Sequence, residues 1–246
     1  MTTPDTKESE TIMKVKIFKN KEEASVFALS CFAKALEKNR NAVFGLATGS
    51  TPITLYEKIC ESNLDFTDAT SINLDEYYGL SNDNKQSYHY FMNKNLFSKK
   101  PFKESFLPNG EDKNVENEIA SYNKIIEEHP IDLQILGIGH NGHIGFNEPG
   151  SSFTDKTRLV DLTASTIEAN KRFFKSIDEV PKQAYSMGIG SILGAKGILL
   201  LAFGKGKAEI IKKTIQGPYT TNVPATALQK HKNVILLLDE DAASLL

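Results

Sequence analysis

Apolar and polar positions along the chain follow two periods, one typical of buried strands and the other of helices. Short aliphatic and β-branched runs predict strands over residues Lys14–Phe18, 42–46, 69–74, 131–138, 197–203 and 233–238. Helical spacing of apolar residues predicts helices over Lys21–Lys38, 87–97, Val115–Glu128, 163–175 and 207–216, and another from Pro52. Helices alternating with fully apolar strands are typical of a parallel sheet covered on both faces. The pattern therefore predicts an α/β fold: a three-layer, mostly parallel, Rossmann-like sheet with helices on both faces, in a single domain.

The domain prediction rests on the continuity of these apolar segments. They recur from Val15 to Leu238, and no Gly/Ser linker, proline-rich spacer or long charge run interrupts them. We therefore expect one α/β domain over residues 13–246. Residues 1–12 are polar and acidic and precede the first apolar segment, so we expect them to form a flexible tail.

Charge and hydropathy narrow the classes of partner. The net charge is −2, with acidic and basic residues interspersed, whereas a nucleic-acid-binding protein shows a clustered basic face. The longest apolar run is too short to span a bilayer, and the N-terminal residues lack the hydrophobic core of a secretory signal. We therefore predict a cytoplasmic protein with no nucleic-acid partner and no membrane partner.

Polar and glycine-rich segments follow four of the predicted strands. They comprise residues 48–51, 75–79, 137–150 and 204–207. In open parallel sheets, ligands bind outside the carboxyl ends of the strands. The four segments therefore predict a binding site at that rim of the sheet.

The first of these segments has the composition of an anion site. It combines a glycine suited to an unusual backbone angle, two hydroxyl residues suited to an N-cap and a proline at the first helical position: Gly49, Ser50, Thr51 and Pro52. Lys207 also opens a predicted helix after a strand, and Arg172 lies on the helix after the long loop. Each feature alone fits an ordinary capped helix or a solvated surface charge. Together they predict a phosphate site.

The segment from 137 to 150 reads GIGHNGHIGFNEPG and invites two interpretations that we reject. Its formal G-x-G-x-x-G motif would bind a dinucleotide only if it opened a helix, and two glycines and a proline follow within residues 144–150. His140, His143 and Glu148 are potential metal ligands, but the loop lacks the helical framework that aligns a metal pair. We therefore expect neither a dinucleotide nor a metal here.

Acid–base chemistry is the remaining interpretation of this loop. His143 is the side chain best suited to move protons near neutral pH, Glu148 is close enough to orient and charge it, and Asn141 can hold either partner. A histidine merely held by loop carbonyls is the alternative. A second acidic pair, Asp75 and Glu76, follows another strand among apolar and aromatic residues, where burial would raise its basicity.

Six sequence blocks resemble one known family in order and spacing. They are GLATGSTP (45–52), NLDEYYGL (73–80), SYHYFM (87–92), GIGHNGHIGFNEP (137–149), ANKRFF (169–174) and GKGKA (204–208). The chain resembles the glucosamine-6-phosphate deaminases, also called amino-sugar isomerase–deaminases. This resemblance covers almost the whole chain, from about residue 13 to residue 240. It implies conversion of glucosamine 6-phosphate and water into fructose 6-phosphate and ammonia, in amino-sugar catabolism.

The resemblance also implies a role for each candidate residue. Asp75 would carry the proton from C2 to C1, and His143, with Glu148 and Asn141, would open the pyranose ring. The phosphate would be held by Gly49, Ser50, Thr51, Arg172 and Lys207. No metal and no organic cofactor are implied, because only protons and an amine move. The resemblance leaves a homo-oligomer open, since family members range from monomers to hexamers.

Two other functions remain as alternatives. A 6-phosphogluconolactonase is similar in fold and in the GIGHNGH-like loop, but lactone hydrolysis has no use for a C2 base such as Asp75. A non-catalytic sugar-phosphate sensor would carry a DNA-binding segment or lack the acid–base residues. The chain also has Val160 where the allosterically activated branch of the family has lysine, and it ends at Leu246, before that branch's longer C-terminal segment. We therefore expect no activation by N-acetylglucosamine 6-phosphate.

Overall fold

Strands and helices alternate along most of the chain, as the hydrophobic pattern predicts. The structure is a computed structural model and describes residues 13–246, apart from the side chains of Ala169 and Phe173. The described strands are β1 (Lys14–Phe18), β2 (Val43–Leu46), β3 (Thr70–Asn73), β4 (Asp75–Tyr77), β5 (Glu104–Phe106), β6 (Leu133–Leu136), β7 (Arg158–Asp161), β8 (Gln183–Ser186), β9 (Ile198–Ala202) and β10 (Val234–Asp239). The tail predicted for residues 1–12 lies outside the described residues.

The helices cover the sheet and connect its strands. They are α1 (Lys21–Lys38), α2 (Ile53–Glu61), α3 (Tyr88–Met92), α4 (Val115–Glu128), α5 (Ala164–Asn170), α6 (Ile189–Leu193) and α7 (Ala208–Gln216). α3 continues as a π-helical turn (Asn93–Phe97), and 3-10 turns cover Lys171–Phe173, Ile177–Glu179, Lys205–Lys207 and Pro224–Lys230. None of the helices within residues 13–246 is long and apolar enough to cross a lipid bilayer.

Seven parallel strands form the central sheet, in the order β1-β10-β9-β6-β2-β3-β5. Because successive side chains of a strand point to opposite faces, the sheet carries two apolar layers. On one face Phe44 packs with Phe32 of α1 and Tyr56 of α2. On the other face Leu200 belongs to the same buried cluster as Ile192 of α6 and Ile211 of α7. The predicted three-layer, mostly parallel α/β fold in a single domain is confirmed.

A second, antiparallel sheet was not predicted. It has the order β4-β8-β7, and β4 begins after β3 with only Leu74 between them. The chain thus leaves the central sheet at Leu74 and enters the small sheet, where Asp75 pairs with Ser186. The strand prediction over 69–74 therefore covers β3 and ends just before β4. β5 and α6 were also missed, because such short elements have too few residues to show a period.

Two predicted helix ends need correction. Pro52 is the N-cap residue of α2 rather than its first helical residue, and neither Ser50 nor Thr51 caps the helix with its side chain. The turn before α2 extends further than predicted, which leaves both hydroxyl residues at the rim of the sheet. The helix predicted over 163–175 ends at Asn170, so Arg172 lies on the 3-10 turn that follows α5.

Candidate active site

One cavity of ≈ 390 Å³ opens at the carboxyl ends of four neighbouring strands, β9, β6, β2 and β3. Its lining includes the predicted acid–base residues Asp75, Asn141 and His143, and all the residues predicted to bind phosphate: Gly49, Ser50, Thr51, Arg172 and Lys207. Glu148 contacts Asn141 and His143 through its carboxylate. The strand order therefore brings together side chains that are up to 158 positions apart in the sequence, from Gly49 to Lys207.

The loop after β6 carries the histidine without forming a helix. Residues 137–150 contain turns and an isolated bridge between Ile144 and Asn147, which agrees with the rejection of a dinucleotide motif. The backbone N–H of Gly139 donates to the carbonyl of His143 at 2.9 Å. A Cβ atom at Gly139 would lie 2.2 Å from Cε1 of His143. Glycine at this position therefore lets the imidazole pack directly against the loop backbone.

Glu148 is held as an anion beside His143. Its Oε2 accepts a hydrogen bond from Asn141 Nδ2 at 2.6 Å and lies 3.5 Å from His143 Nδ1. Its Oε1 accepts a hydrogen bond from Thr166 Oγ1 at 2.5 Å. Burial favours the neutral form of Glu148, but the interactions with His143, Thr166 and Asn141 outweigh it and lower the pKa to about 2.

The carboxylate of Glu148 faces the imidazole of His143. The contact with His143 Nδ1 is an ion-pair contact rather than a directed hydrogen bond, and this nitrogen has no hydrogen-bond partner among residues 13–246. An imidazole oriented by charge in this way can accept a proton from a ligand and then return it.

Asp75 lines the same cavity. It is 6% exposed, and burial, followed by the negative charge of Glu76, raises its pKa to about 8. Glu76 points elsewhere: its carboxylate accepts hydrogen bonds from the backbone N–H groups of Tyr77, Tyr88 and His89 and lies 2.8 Å from His89 Nδ1. The two neighbouring acids thus occupy different surroundings, and only Asp75 faces the cavity.

Another part of the cavity has two cationic side chains and lies at the N-terminus of α2. Lys207 Nζ donates to the carbonyl of Ile138 at 2.7 Å, and its pKa is lowered by burial and by the nearby charge of Arg172. α2 has no side-chain cap, so its first N–H groups are left for a ligand, and Gly49 takes the left-handed angle (φ +88°) that opens the turn. A bound anion would relieve the repulsion between the two cations and accept from the helix N-terminus.

Several cavity residues were missed by the sequence analysis. α5 contributes Ser165, Thr166 and Asn170 to the lining, and Tyr88 with Phe146 forms an aromatic wall, with parallel rings 6.1 Å apart. Tyr88 and Asn170 lie within the sequence blocks SYHYFM and ANKRFF, so a signal for them existed. Thr166 carries no such signal, because its contact with Glu148 spans 18 positions and depends on where α5 docks.

Metal ligation has no geometric support in the described part of the chain. Residues 13–246 contain no group of three or more His, Cys, Asp or Glu side chains placed to hold a metal ion. His140 reaches the cavity, but its Nδ1 lies 3.2 Å from the carbonyl of Gly206. The contacts of His140 are therefore with the neighbouring loop.

Comparison with known proteins places this geometry among sugar-phosphate enzymes. The family model described as glucosamine-6-phosphate isomerases/6-phosphogluconolactonase matches residues 21–237. The chain is 60% identical over 232 residues to a glucosamine-6-phosphate deaminase of Lacticaseibacillus paracasei, covering 94% of this chain and 98% of that protein. It is 57% identical to a glucosamine-6-phosphate deaminase of Oenococcus oeni, covering 95% of this chain and 99% of that protein.

Solved structures agree with these sequence matches. A monomeric glucosamine-6-phosphate deaminase superposes with a TM-score of 0.92 at 44% identity and covers 95% of this chain and 100% of its own. A 6-phosphogluconolactonase from Trypanosoma brucei has a TM-score of 0.80 at 16% identity, covering 96% of this chain and 99% of its own, a likeness of fold alone. The resemblance inferred from the sequence blocks is confirmed, and the chain belongs to the glucosamine-6-phosphate isomerase/6-phosphogluconolactonase family.

Proposed function

We propose that this chain converts glucosamine 6-phosphate and water into fructose 6-phosphate and ammonia. The observation that carries the proposal is that Asp75 and His143, with Glu148 behind the imidazole, meet at one cavity that is also lined by two cations and the turn before the uncapped helix α2. Ring opening and proton transfer between neighbouring carbons need separate acid–base groups, and a sugar phosphate needs an anion site. Relatives named glucosamine-6-phosphate deaminase, at 57–60% identity over nearly the whole chain, support this substrate.

Substrate binding would begin with the phosphate. Lys207 and Arg172 supply charge, and the turn of Gly49, Ser50 and Thr51 supplies hydroxyl and N–H donors. These contacts are the same in the ground state and the transition state, so they set affinity and orientation rather than the rate of the chemical step. The sugar then extends from the phosphate end of the cavity towards His143 and Asp75.

Ring opening is the first chemical step, and His143 catalyses it. Its imidazole takes the proton from the C1 hydroxyl and returns a proton to the ring oxygen as the C1–O5 bond breaks. Glu148 stabilises the imidazolium that forms between the two transfers, and Asn141 holds Glu148 in place. The product of this step is the open-chain aldehyde.

Isomerisation is the next step, and Asp75 catalyses it. Its carboxylate takes the C2 proton while the C1 oxygen gains a proton released by the C2 ammonium, which gives an enediol-type intermediate that keeps the amine on C2. The resulting acid then delivers its proton to C1. The C2 imine formed in this way is hydrolysed by water to the ketone, with release of ammonia. The raised pKa of Asp75 suits both halves of the transfer, because a stronger base removes the proton and the acid form persists near neutral pH. Only protons, water and the amine move, so the reaction calls for no metal and no organic cofactor.

The charge of the substrate indicates in which compartment of the cell the enzyme works. A sugar phosphate does not cross a membrane freely, because transfer of its charges into a bilayer is too costly. We therefore infer that the enzyme is a hydrolase of amino-sugar catabolism that works in the cytoplasm, on the pool derived from N-acetylglucosamine. The solved deaminase at 44% identity is monomeric.

A direct assay tests the proposal against the lactonase alternative. The purified chain should release ammonia from glucosamine 6-phosphate and form an equal amount of fructose 6-phosphate, while unphosphorylated glucosamine should give neither. A His143→Gln variant should lose most of this activity on the ring-closed sugar. Hydrolysis of 6-phosphogluconolactone without any ammonia release would contradict the proposal.

A further inference from the structure

We propose that Thr166 is a positioning residue for ring opening, because its hydroxyl holds the carboxylate that faces the imidazole of His143. This inference rests on the proposed function, since it assigns a task within the first step of that reaction. Thr166 lies in α5, outside the acid–base loop, and 18 positions beyond Glu148 in the sequence. Its side chain acts on the carboxylate rather than on the reacting atoms.

The contacts of Glu148 divide between its two oxygens. Oε2 is engaged by the loop itself, through Asn141 Nδ2 at 2.6 Å and His143 Nδ1 at 3.5 Å. Oε1 is engaged by α5, through Thr166 Oγ1 at 2.5 Å and Thr163 Oγ1 at 3.3 Å. A carboxylate held at one oxygen alone can still rotate about its last bond. The second contact therefore fixes the plane of the carboxylate and the direction of Oε2 towards the imidazole.

Thr166 is the stronger of the two threonine contacts. The single proton of the Thr163 hydroxyl is shared between Glu148 and Thr166, and its oxygen accepts from the backbone N–H of Thr166 as the N-cap of α5. Thr166 is 6% exposed, and its short contact is with a carboxylate, which makes a stronger hydrogen bond than a neutral acceptor does.

α5 itself is anchored beside the cavity at both ends. Its N-terminus reaches Glu148 through the threonines, and Asn170 Nδ2 near its C-terminus donates to the hydroxyl of the buried Tyr77 at 2.9 Å. These contacts hold the Thr166 hydroxyl at its acceptor, which is the requirement for keeping a catalytic group in one geometry.

The test compares a substrate that must open its ring with one that cannot close it. Thr166→Val keeps the shape of the side chain and removes the donor. We expect kcat for glucosamine 6-phosphate to fall about tenfold with KM changed less than about twofold, as for loss of one hydrogen bond to a charged group. For the 4,5-dideoxy analogue, which has no hydroxyl with which to form a ring, the rate should change less than about twofold. Thr166→Ser, which keeps the hydroxyl, should restore most of the lost rate.

A second buried threonine provides the control. Thr214 of α7 is fully buried and donates to the carbonyl of Ile210, so Thr214→Val removes a similar hydroxyl away from the cavity and should leave both rates unchanged. Thermal unfolding checks the fold of each variant, and Thr166→Ala repeats the test if valine unfolds the chain. Equal slowing on both substrates, or an undiminished rate on the ring-closed sugar, overturns the inference. Absence of ammonia release by the unmodified chain overturns the proposed function instead.

Discussion

At the scale of single residues, the surroundings of Asp75 and Glu148 shift the pKa values of the two acids in opposite directions. Asp75 is buried beside another carboxylate, which raises its pKa to about 8, whereas hydrogen bonds and His143 lower the pKa of Glu148 to about 2. Both are carboxylates of the same site, Asp75 in the cavity wall and Glu148 behind His143, so residue type alone does not separate their roles. Because the two pKa values differ, Asp75 can carry a proton near neutral pH, whereas Glu148 remains a fixed negative charge.

Asp75→Asn should abolish catalysis and stabilise the fold. We expect exchange of the C2 hydrogen with solvent to cease while sugar-phosphate binding persists. The folded-state pKa of Asp75 is raised, so the aspartate costs stability progressively as pH rises from about 4, where the unfolded chain ionises, to about 8. The asparagine variant should therefore be more stable, by on the order of a few kcal/mol above pH 8 and by almost nothing below pH 4. Chemical denaturation across this pH range measures the difference.

The exposed Asp83 supplies a matched control for this substitution. Asp83→Asn removes a carboxylate from the surface, so it should leave both the activity and the pH dependence of unfolding as they are. Persistent C2 exchange in Asp75→Asn would remove Asp75 from the base role. A stability difference that does not grow with pH would contradict the burial of a neutral acid.

At the scale of secondary-structure elements, the small sheet depends on close packing against α6. The N–H of Gly190 donates to the carbonyl of Asp155 at 2.9 Å, just before β7 begins at Arg158. From β7, Arg158 Nη1 donates to Asn147 Oδ1 at 2.8 Å, and Asn147 precedes Glu148 in the acid–base loop. The packing of α6 therefore sets the position of β7, and β7 supports the loop.

Gly188→Ala should break this packing. A Cβ atom at this position would lie 2.2 Å from the carbonyl oxygen of Asp155, and backbone cannot move aside as a flexible side chain can. Overpacking of this kind should cost about 2–3 kcal/mol and lower Tm by about 5–10 °C, with a fall in kcat as the loop loses its support. Calorimetry and the ammonia assay measure the two effects.

Gly194, at the other end of α6, is the control. Its backbone is helical, and the nearest atom to a Cβ there would be the carbonyl oxygen of Ser191 at 3.1 Å, so Gly194→Ala asks for only a small adjustment. It should leave Tm within a few degrees of the parent value. If both glycine variants behave alike, α6 does not carry the proposed support.

At the scale of the whole molecule, the site is a rim assembled from distant parts of the chain. The four central strands β9, β6, β2 and β3 end side by side, and each is followed by a segment that lines the cavity. The small sheet closes one side of this rim, and its apolar cluster includes Tyr77, Phe146 and, at its edge, Val160 of β7. Val160 thus contributes to packing, at the position where the activated branch of the family has lysine.

We expect the enzyme to ignore N-acetylglucosamine 6-phosphate as an activator. A partly buried valine offers that phosphate no charge, whereas a lysine does. Initial rates against glucosamine 6-phosphate should follow the same hyperbolic curve with and without the second sugar phosphate, apart from weak competition at high concentration. A clear rise in substrate affinity on addition of N-acetylglucosamine 6-phosphate would refute this expectation.

The pattern of residues along the chain was sufficient to predict six of the seven strands of the central sheet, the rim of that sheet and the candidate site residues. The strands over 131–138 and 197–203 are almost wholly apolar, and a run of that kind has one stable position, buried in the sheet. The glycines, histidines and acids directly after such strands therefore indicate a binding site, because little else explains polar residues at those points. Asp75, His143 and Lys207 were found in this way.

Tertiary structure alone decided the small sheet, the start of α2 and the contact between Thr166 and Glu148. β4, β7 and β8 have three or four residues each, and their pairing joins segments about 110 positions apart, from Asp75 to Ser186. The charge states of Asp75 and Glu148 likewise depend on burial and on donors brought in by other elements. Local sequence limits which secondary structure a short segment can form. Its neighbours in space determine with which strand it pairs and whether its acidic side chains are protonated.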